Sequence, residues 1–380
     1  MKTKKSFFFG ALFALWVLCC LVQADTFSPL AADLEGSGRV NFKDFAILAN
    51  QWLQTPDEPS ADIAPVGGLD NFVDELDLQV LAEQWLGVGI PKVEIGIVSN
   101  VNDSWTEVTL SQNYDSIVVV ATANYDSGDD PAVVRIKDAG IPYANKFKIR
   151  ADEAENGTMN GIDVHYMVME EGVYNVIDHG TKMEVRKIRS TVTDYKANWT
   201  GQELAYVNSY TTPVVLGQVM SYGGSDFSTF WCQGSLRVNP PDSFNLKVGK
   251  TVSEDIIITR SDETLGIIII EADINGTMKD VVVNGTAAAD TKYVANVGSD
   301  SIQGFDDSPP YGYSLGTHLS SASVGIAATA GVDESDGGWP ILYGVTPLSS
   351  TTLNLAIDED NVIDSERNHT TEQVAYIVFE

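Results

Sequence analysis

The chain has 380 residues, enough for several domains with full hydrophobic cores. It carries 23 Lys+Arg against 53 Asp+Glu, a formal net charge of −30, which argues against nucleic-acid partners and anionic membrane surfaces. A hydrophobic content of 44%, with 14 Tyr and 14 Phe, excludes a disordered acidic tail.

Lys2, Lys4 and Lys5 precede an apolar run from Phe7 to Val22, and Val22-Gln-Ala24 places small residues at −3 and −1. Residues 1–24 are therefore expected to be a secretory signal cleaved after Ala24, which predicts an extracellular protein. Gly10 and Gln23 leave the run short of the roughly 20 apolar residues a membrane anchor needs, so no membrane insertion is expected after cleavage. Leu18 is a poor residue ahead of a lipidated Cys19 or Cys20. With the leader gone, Cys232 is the only cysteine and no intrachain disulfide can form.

Residues 33–44 place oxygen-bearing side chains at loop positions 1, 3, 5, 9 and 12, namely Asp33, Glu35, Ser37, Asn41 and Asp44. Gly38 occupies the sharp turn at position 6, and Arg39 offers its carbonyl at position 7. A hard cation needing six or seven oxygens requires this spacing, so calcium is the expected cofactor. Phe45, Leu48, Ala49 and Trp52 follow at helical spacing. The phrase returns 33 residues later: Leu78, Leu81, Ala82 and Trp85 match those four. Counting back from Asp77 at position 12 gives Asp74 at 9, Phe72 (carbonyl) at 7, Asn71 in the glycine slot and Asp70 at 5. Asp62 takes position 1, with Pro65-Val-Gly-Gly lengthening the second loop. Duplication of loop plus helix argues against two unrelated acidic turns.

On these residues, 32–87 resembles a type I-like dockerin, a small module of two calcium-binding EF-hand-like repeats with Asp at the last loop position. The resemblance implies an all-α calcium-folded module that docks onto a cohesin-like partner. It also implies that loop positions 10 and 11 read that partner; these are Phe42 and Lys43, then Glu75 and Leu76.

Gly87-Val-Gly-Ile-Pro91 marks a linker (88–92), after which β-branched runs, Gly, Thr and Ser dominate. Three phrases recur: Val164-His165-Tyr-Met-Val-Met-Glu170, Leu265-Gly-Ile-Ile-Ile-Ile-Glu271 and Val374-Ala-Tyr-Ile-Val-Phe-Glu380. Ahead of them lie Ile117–Ala121, Pro213–Gly217 and Val324–Ala328, and between them Phe147-Lys-Ile, Phe244-Asn-Leu and Leu353-Asn-Leu. The expected fold is multidomain, the dockerin-like module followed by tandem antiparallel β-sandwich modules at 93–178, 179–277 and 278–380. Asn-Gly pairs at Asn156, Asn275 and Asn284 read as turns between strands.

The first β module also resembles the H-type lectin sandwich, carried by Val93-Glu-Ile-Gly96, Trp105-Thr-Glu-Val, Ile117-Val-Val-Val, Val133-Val-Arg135-Ile, Phe147-Lys-Ile and the Val164–Glu170 phrase. Such lectins form trimers, which implies that three modules in one chain mimic a trimer. Arg150-Ala151 stands where the family presents an aromatic, so no sugar-binding residue is carried over.

No catalytic motif of hydrolase, zinc-protease or phosphate-loop type occurs. Glu170, Glu271 and Glu380 end equivalent strands, which favours a structural role over a glycosidase pair. Asp358, Asp360 and Asp364, with Trp339 after Gly-Gly, form a candidate ligand loop for a sugar or a further cation. Trp105 falls in an alternating stretch and is expected in the core. Together these features point to a secreted, non-catalytic protein with a calcium-dependent tether and β modules that bind carbohydrate or cell-surface material. The alternatives are a polysaccharide hydrolase carried on a dockerin and a structural matrix protein, distinguished by a cleft with two close carboxylates and by a large apolar patch.

Overall fold

A computed structural model describes residues 32–35, 40–64, 71–83, 92–141, 144–154, 160–196, 198–363 and 365–380. The chain divides between Ile90 and Pro91 into two compact units. Among the described residues no helix is long and apolar enough to cross a membrane.

The first unit does not form the expected all-α module. Its helices are short, α1 (Phe42–Gln51) and α2 (Glu75–Glu83), and the rest of its described chain is turn and extended backbone. Loops contribute much of its core, in which Ala32, Leu34, Val40, Ala61, Ile63 and Val73 join Leu48 and Leu81 from the helices. Val73 exchanges backbone hydrogen bonds with Leu53 and Gln54, 2.8 and 3.1 Å, so non-helical chain joins the end of the first helix to the second loop.

The second unit is built of strands. Its first segment holds β1 (Val93–Val101), β2 (Thr106–Thr109), β3 (Ile117–Tyr125), β4 (Ala132–Lys137), β5 (Lys146–Glu153), β6 (Ile162–Glu170) and β7 (Gly172–Tyr174), before a single-turn α3 (Val176–His179). Its second holds β8 (Met183–Ser190), β9 (Thr193–Asp194), β10 (Gln202–Glu203), β11 (Pro213–Val219), β12 (Thr229–Gln233), β13 (Lys247–Thr251) and β14 (Glu263–Glu271). The third holds β15 (Asp273–Val283), β16 (Ala289–Val297), β17 (Tyr311–Ser314), β18 (Val324–Thr329), β19 (Trp339–Tyr343), β20 (Thr352–Asp358) and β21 (Val374–Phe379).

A threefold pattern runs through the pairing. The triples β1–β6–β3, β8–β14–β11 and β16–β21–β18 are antiparallel, each with the latest of its three strands in chain order in the middle. A second set, β2–β5–β4, β10–β13–β12 and β17–β20–β19, is antiparallel in the same way. Strands β18 and β21 are buried at every residue, and β3, β6 and β14 at nearly every residue. They accordingly read as continuous apolar runs in place of alternating ones.

The segments are not, however, the tandem modules expected. One ten-stranded sheet runs β17-β20-β19-β3-β6-β1-β15-β16-β21-β18, joining the first and third segments through the parallel pairs β19–β3 and β1–β15. Equivalent strands β3, β11 and β18 touch one another pairwise. Within that meeting point the Thr122 hydroxyl accepts from the Ala327 amide at 2.9 Å, and the Gly325 amide donates to His165 Nδ1 at 3.1 Å. Burial pushes His165 down to about 4, so it sits in the core as a neutral ring.

An arginine ties each segment to the loop that follows β11, β18 or β3 in the next. Arg135 donates to the carbonyls of Gly224, Ser225 and Asp226 at 3.0–3.2 Å. Arg237 donates to Asp333 O at 2.9 Å and to Glu334 O. Arg367 returns from the third segment to the first, donating to Asp129 O at 2.8 Å. The series is cyclic, so the three segments close into a ring.

Arg367 also pairs with the fully buried Asp358, Nε to Oδ1 at 2.6 Å and Nη2 to Oδ2 at 2.7 Å. Replacing Arg367 by Met strands that carboxylate, and we expect a loss of about 3–5 kcal/mol in chemical denaturation. Adding Asp358→Leu removes the stranded charge and recovers most of the loss. A double variant as unstable as the single would show that the pair does not carry the junction.

Candidate functional site

In the first unit each repeat is closed by a buried aspartate at loop position 12. Asp44 Oδ1 accepts from the Leu34 and Glu35 amides, 2.7 and 3.1 Å, and its Oδ2 from the Asn41 amide at 2.8 Å. Asp77 repeats the pattern, Oδ1 with the Ile63 and Ala64 amides, 2.6 and 2.8 Å, and Oδ2 with the Asp74 amide at 2.8 Å. Asn41 Oδ1 accepts from the Lys43 amide and Asp74 Oδ1 from the Leu76 amide, both at 2.9 Å, which caps the start of each helix. These four bonds are equivalent at an offset of 33 in their side-chain acceptors, and 29 in the residues entering the loop. Asp62 thereby occupies the place that Asp33 holds in the first repeat.

Asp62 is 4% exposed. Its Oδ2 accepts from the Asn71 amide at 2.8 Å, while its buried Oδ1 has no hydrogen-bond partner among the described residues. Asn71 has φ +64°, the left-handed turn for which glycine is the usual residue at position 6. In the first repeat Glu35 bridges Asn41 Nδ2 (3.2 Å) and Lys43 Nζ (3.1 Å). Phe42, Lys43, Glu75 and Leu76 all face solvent, Phe42 at 75% exposure, and Phe72 is exposed too. Ser37, Arg39, Asp70 and the segment 1–24 lie outside the described residues. Among the described residues no group of three or more His, Cys, Asp and Glu side chains converges as a metal site.

The candidate ligand loop of the second unit is a buried ionic junction. Trp339, the candidate ligand-stacking ring, is 7% exposed, and its indole donates to Ala132 O at 3.1 Å. Asp358 is consumed by Arg367 and the Tyr125 hydroxyl, and Asp360 by the amides of Glu254 (3.0 Å) and Val362 (3.1 Å). Asp364 lies outside the described residues. Burial pushes Asp360 up to about 6 against those amide bonds. The strand-end glutamates also act structurally. Glu170 accepts from the Asp115 and Ser116 amides, Glu271 from the Thr211 and Thr212 amides, and Glu380 from the Ser320 hydroxyl. Each fastens the turn that leads into the neighbouring strand, β3, β11 or β18.

Two clusters escaped the sequence reading. One is His369, fully enclosed, with Nδ1 at 2.8 Å from Glu359 and 3.3 Å from Glu334, and Nε2 at 3.1 Å from Glu372. Burial opposes its charge, but Glu359 and Glu372 outweigh that and hold His369 up at about 10. Burial meanwhile raises Glu359 to about 7. No spacing signal announces this cluster, because its acids come from three separate loops. The other gathers Trp105, Arg135, Lys137, Arg150, Asp152 and Tyr222. Trp105 is half-buried at the edge of the sheet, not in the core, with its ring 5.1 Å from that of Tyr222. The alternation Arg135-Ile-Lys137 on one strand and Lys148-Ile-Arg150 on the next was the available signal.

A folded-state value above the ordinary 6.5 means that His369 stabilises the fold fully below pH 6.5 and loses that contribution as pH rises to about 10. His369→Gln is therefore expected to flatten the decline in melting temperature across pH 6.5–10. An unchanged slope would show that the ring carries no charge there.

Comparison of the chain with protein-family models, with curated proteins and with solved structures finds no match.

Proposed function

We propose that this is a secreted, non-catalytic binding protein. Two calcium-loaded loop–helix repeats tether it to a docking protein, and the β-strand unit engages carbohydrate or cell-surface material. The observation that carries the tether is the lone oxygen of Asp62: a buried carboxylate oxygen without a donor is costly unless a cation completes it. The donor set fits a hard cation. Asp44 and Asp77 each accept three amides, and their four lone pairs leave room for a ligand bond.

Asp33, Glu35, Ser37, the Arg39 carbonyl, Asn41 and Asp44 would hold the first ion. Asp62, Asp70, the Phe72 carbonyl, Asp74 and Asp77 would hold the second. Bound calcium supplies charge that offsets the crowded carboxylates and links binding to folding. The clasping aspartates position the loop backbones and the start of each helix. They thereby present Phe42, Lys43, Glu75 and Leu76 at the surface, where a cohesin-like partner would read them, in keeping with the dockerin resemblance. For the β unit, the reading is supported by its resemblance to a lectin sandwich and by a ring of three equivalent segments, the form a trimeric sugar-binding protein takes.

Titration calorimetry of the mature protein with calcium should show two sites, and Asp62→Ala should remove one. Calcium at about 100 times its Kd should add roughly 2.7 kcal/mol of unfolding free energy per site. Absence of calcium binding, or an unchanged stoichiometry in Asp62→Ala, would overturn the tether.

A further inference from the structure

We propose that Trp105, Lys137, Arg150 and Tyr222 form a binding site for an anionic saccharide, recognised through its carboxylate or sulfate group. The proposal rests on the carbohydrate reading above and adds the ligand's charge and the place where it binds.

The first observation is a row of like charges. Strands β4 and β5 place Arg135 directly opposite Arg150 and Lys137 directly opposite Lys148. Like charges facing each other across a sheet are destabilising, and this chain has only 23 basic residues to distribute against 53 acidic ones. Four of the 23 share one patch of one sheet. Its acids are too few to neutralise it. Asp152 serves both arginines, at 2.5 Å from Arg150 Nε and 3.3 Å from Arg135 Nη1, and Asp138 takes Lys148 at 2.9 Å.

The second observation is a set of donors without acceptors. The Lys137 ammonium makes no hydrogen bond or ion pair among the described residues and rests 4.1 Å from the centre of the Trp105 ring. The indole N–H of Trp105 likewise has no acceptor there. Tyr222 accepts from Arg150 Nη2 at 3.0 Å, which leaves its own hydroxyl proton free to donate. All four side chains are partly exposed, so a ligand can reach them. An ammonium, an indole N–H, a phenol and the edge of a guanidinium together match the oxygens of one oxyanion and the hydroxyls beside it.

The third observation is rigidity. Arg135 is fully buried and fixes the carbonyls of Gly224, Ser225 and Asp226, immediately behind Tyr222. Arg150 lies 4.9 Å from the Trp105 ring centre and 5.0 Å from that of Tyr222. Arg135 is thus a positioning residue that holds the two halves of the site together. Ordering costs are met before the ligand arrives.

The test is calorimetric titration of the full mature protein, at fixed calcium, with sodium oligogalacturonate, dextran sulfate and neutral dextran. Binding to the first or second supports the site and tells carboxylate from sulfate. Lys137→Gln, which loses no hydrogen bond of the fold, should bind about tenfold more weakly with a melting temperature within a few degrees of wild type. Trp105→Phe should weaken binding while keeping the ring, and raised salt should weaken wild type more than Lys137→Gln. Equal binding of the neutral and charged polymers, or full affinity in Lys137→Gln, would overturn the anionic site and leave the carbohydrate reading standing. Failure of every polymer, cellulose and chitin included, would overturn both.

Discussion

The architecture of the strand-rich unit hangs on three arginines that each cross from one segment to the next. Arg135, Arg237 and Arg367 all reach main-chain carbonyls in the loops that follow the equivalent strands β11, β18 and β3, and the third returns to the first segment. A carbonyl has no charge to be stranded if the chain breathes, so such a bond pins a loop without the desolvation cost of a second ion. The guanidinium fork satisfies several carbonyls at once, which lysine could not do with comparable geometry. With one buried cysteine and no disulfide among the described residues, a chain expected to work outside the cell is held by these crossings and by its core.

Carboxylates complement them with the opposite polarity. Asp44, Asp77, Glu94, Glu170, Glu184, Glu271 and Glu372 each accept one or more main-chain amides in loops remote in sequence. A carboxylate has about four acceptor positions and no donor of its own when ionised, so it can terminate a loop that no strand pairs. The large acidic excess is therefore in part internal architecture and not only a solvated surface. Glu94 and Glu184, second residues of equivalent strands, are almost wholly buried, and the matching place in the third segment is Val294. The repeat keeps the position where a loop needs an acceptor and fills it with valine where none is needed.

How much of this was legible follows from range. The helix starts, the acidic loops and the apolar strands β3, β6, β11, β14, β18 and β21 are local, and their residues announce them. Register was harder. Phe244-Asn-Leu looks like Phe147-Lys-Ile, yet Phe244 is 89% exposed and the equivalent strand begins only at Lys247, because Asp242 turns the chain just ahead of it. Asn284-Gly285 is a turn, with φ +48° and +71°, whereas Asn275-Gly276 lies inside β15. There glycine serves a different need: a Cβ at Gly276 would fall 2.3 Å from the Tyr293 ring that crosses it. Strand β15 spans the expected boundary at 277/278 and bridges the first and third segments. The tandem picture failed at that element, since a parallel pairing between distant segments leaves no local mark.

The same logic explains why the acidic loop of 358–364 misled and the basic patch near Trp105 went unseen. Clustered acids in a sequence suggest a cation site, but Asp358 and Asp360 face inward to an arginine and to amides, and Trp339 is itself buried with its N–H already satisfied. Composition marks where charge is plentiful and says nothing of whether its valence is spent. Basic residues in this chain are scarce, and most of them are matched to a nearby acid or carbonyl. Lys137 stands apart because its ammonium meets two aromatic rings and, among the described residues, no acid or carbonyl, an arrangement worth about 0.5–1 kcal/mol at an exposed site. A full ion pair with an incoming oxyanion can replace that contact at little cost. In so acidic a protein, a binding site for an anion is made less by adding positive charge than by setting an unpaired cation among aromatic rings.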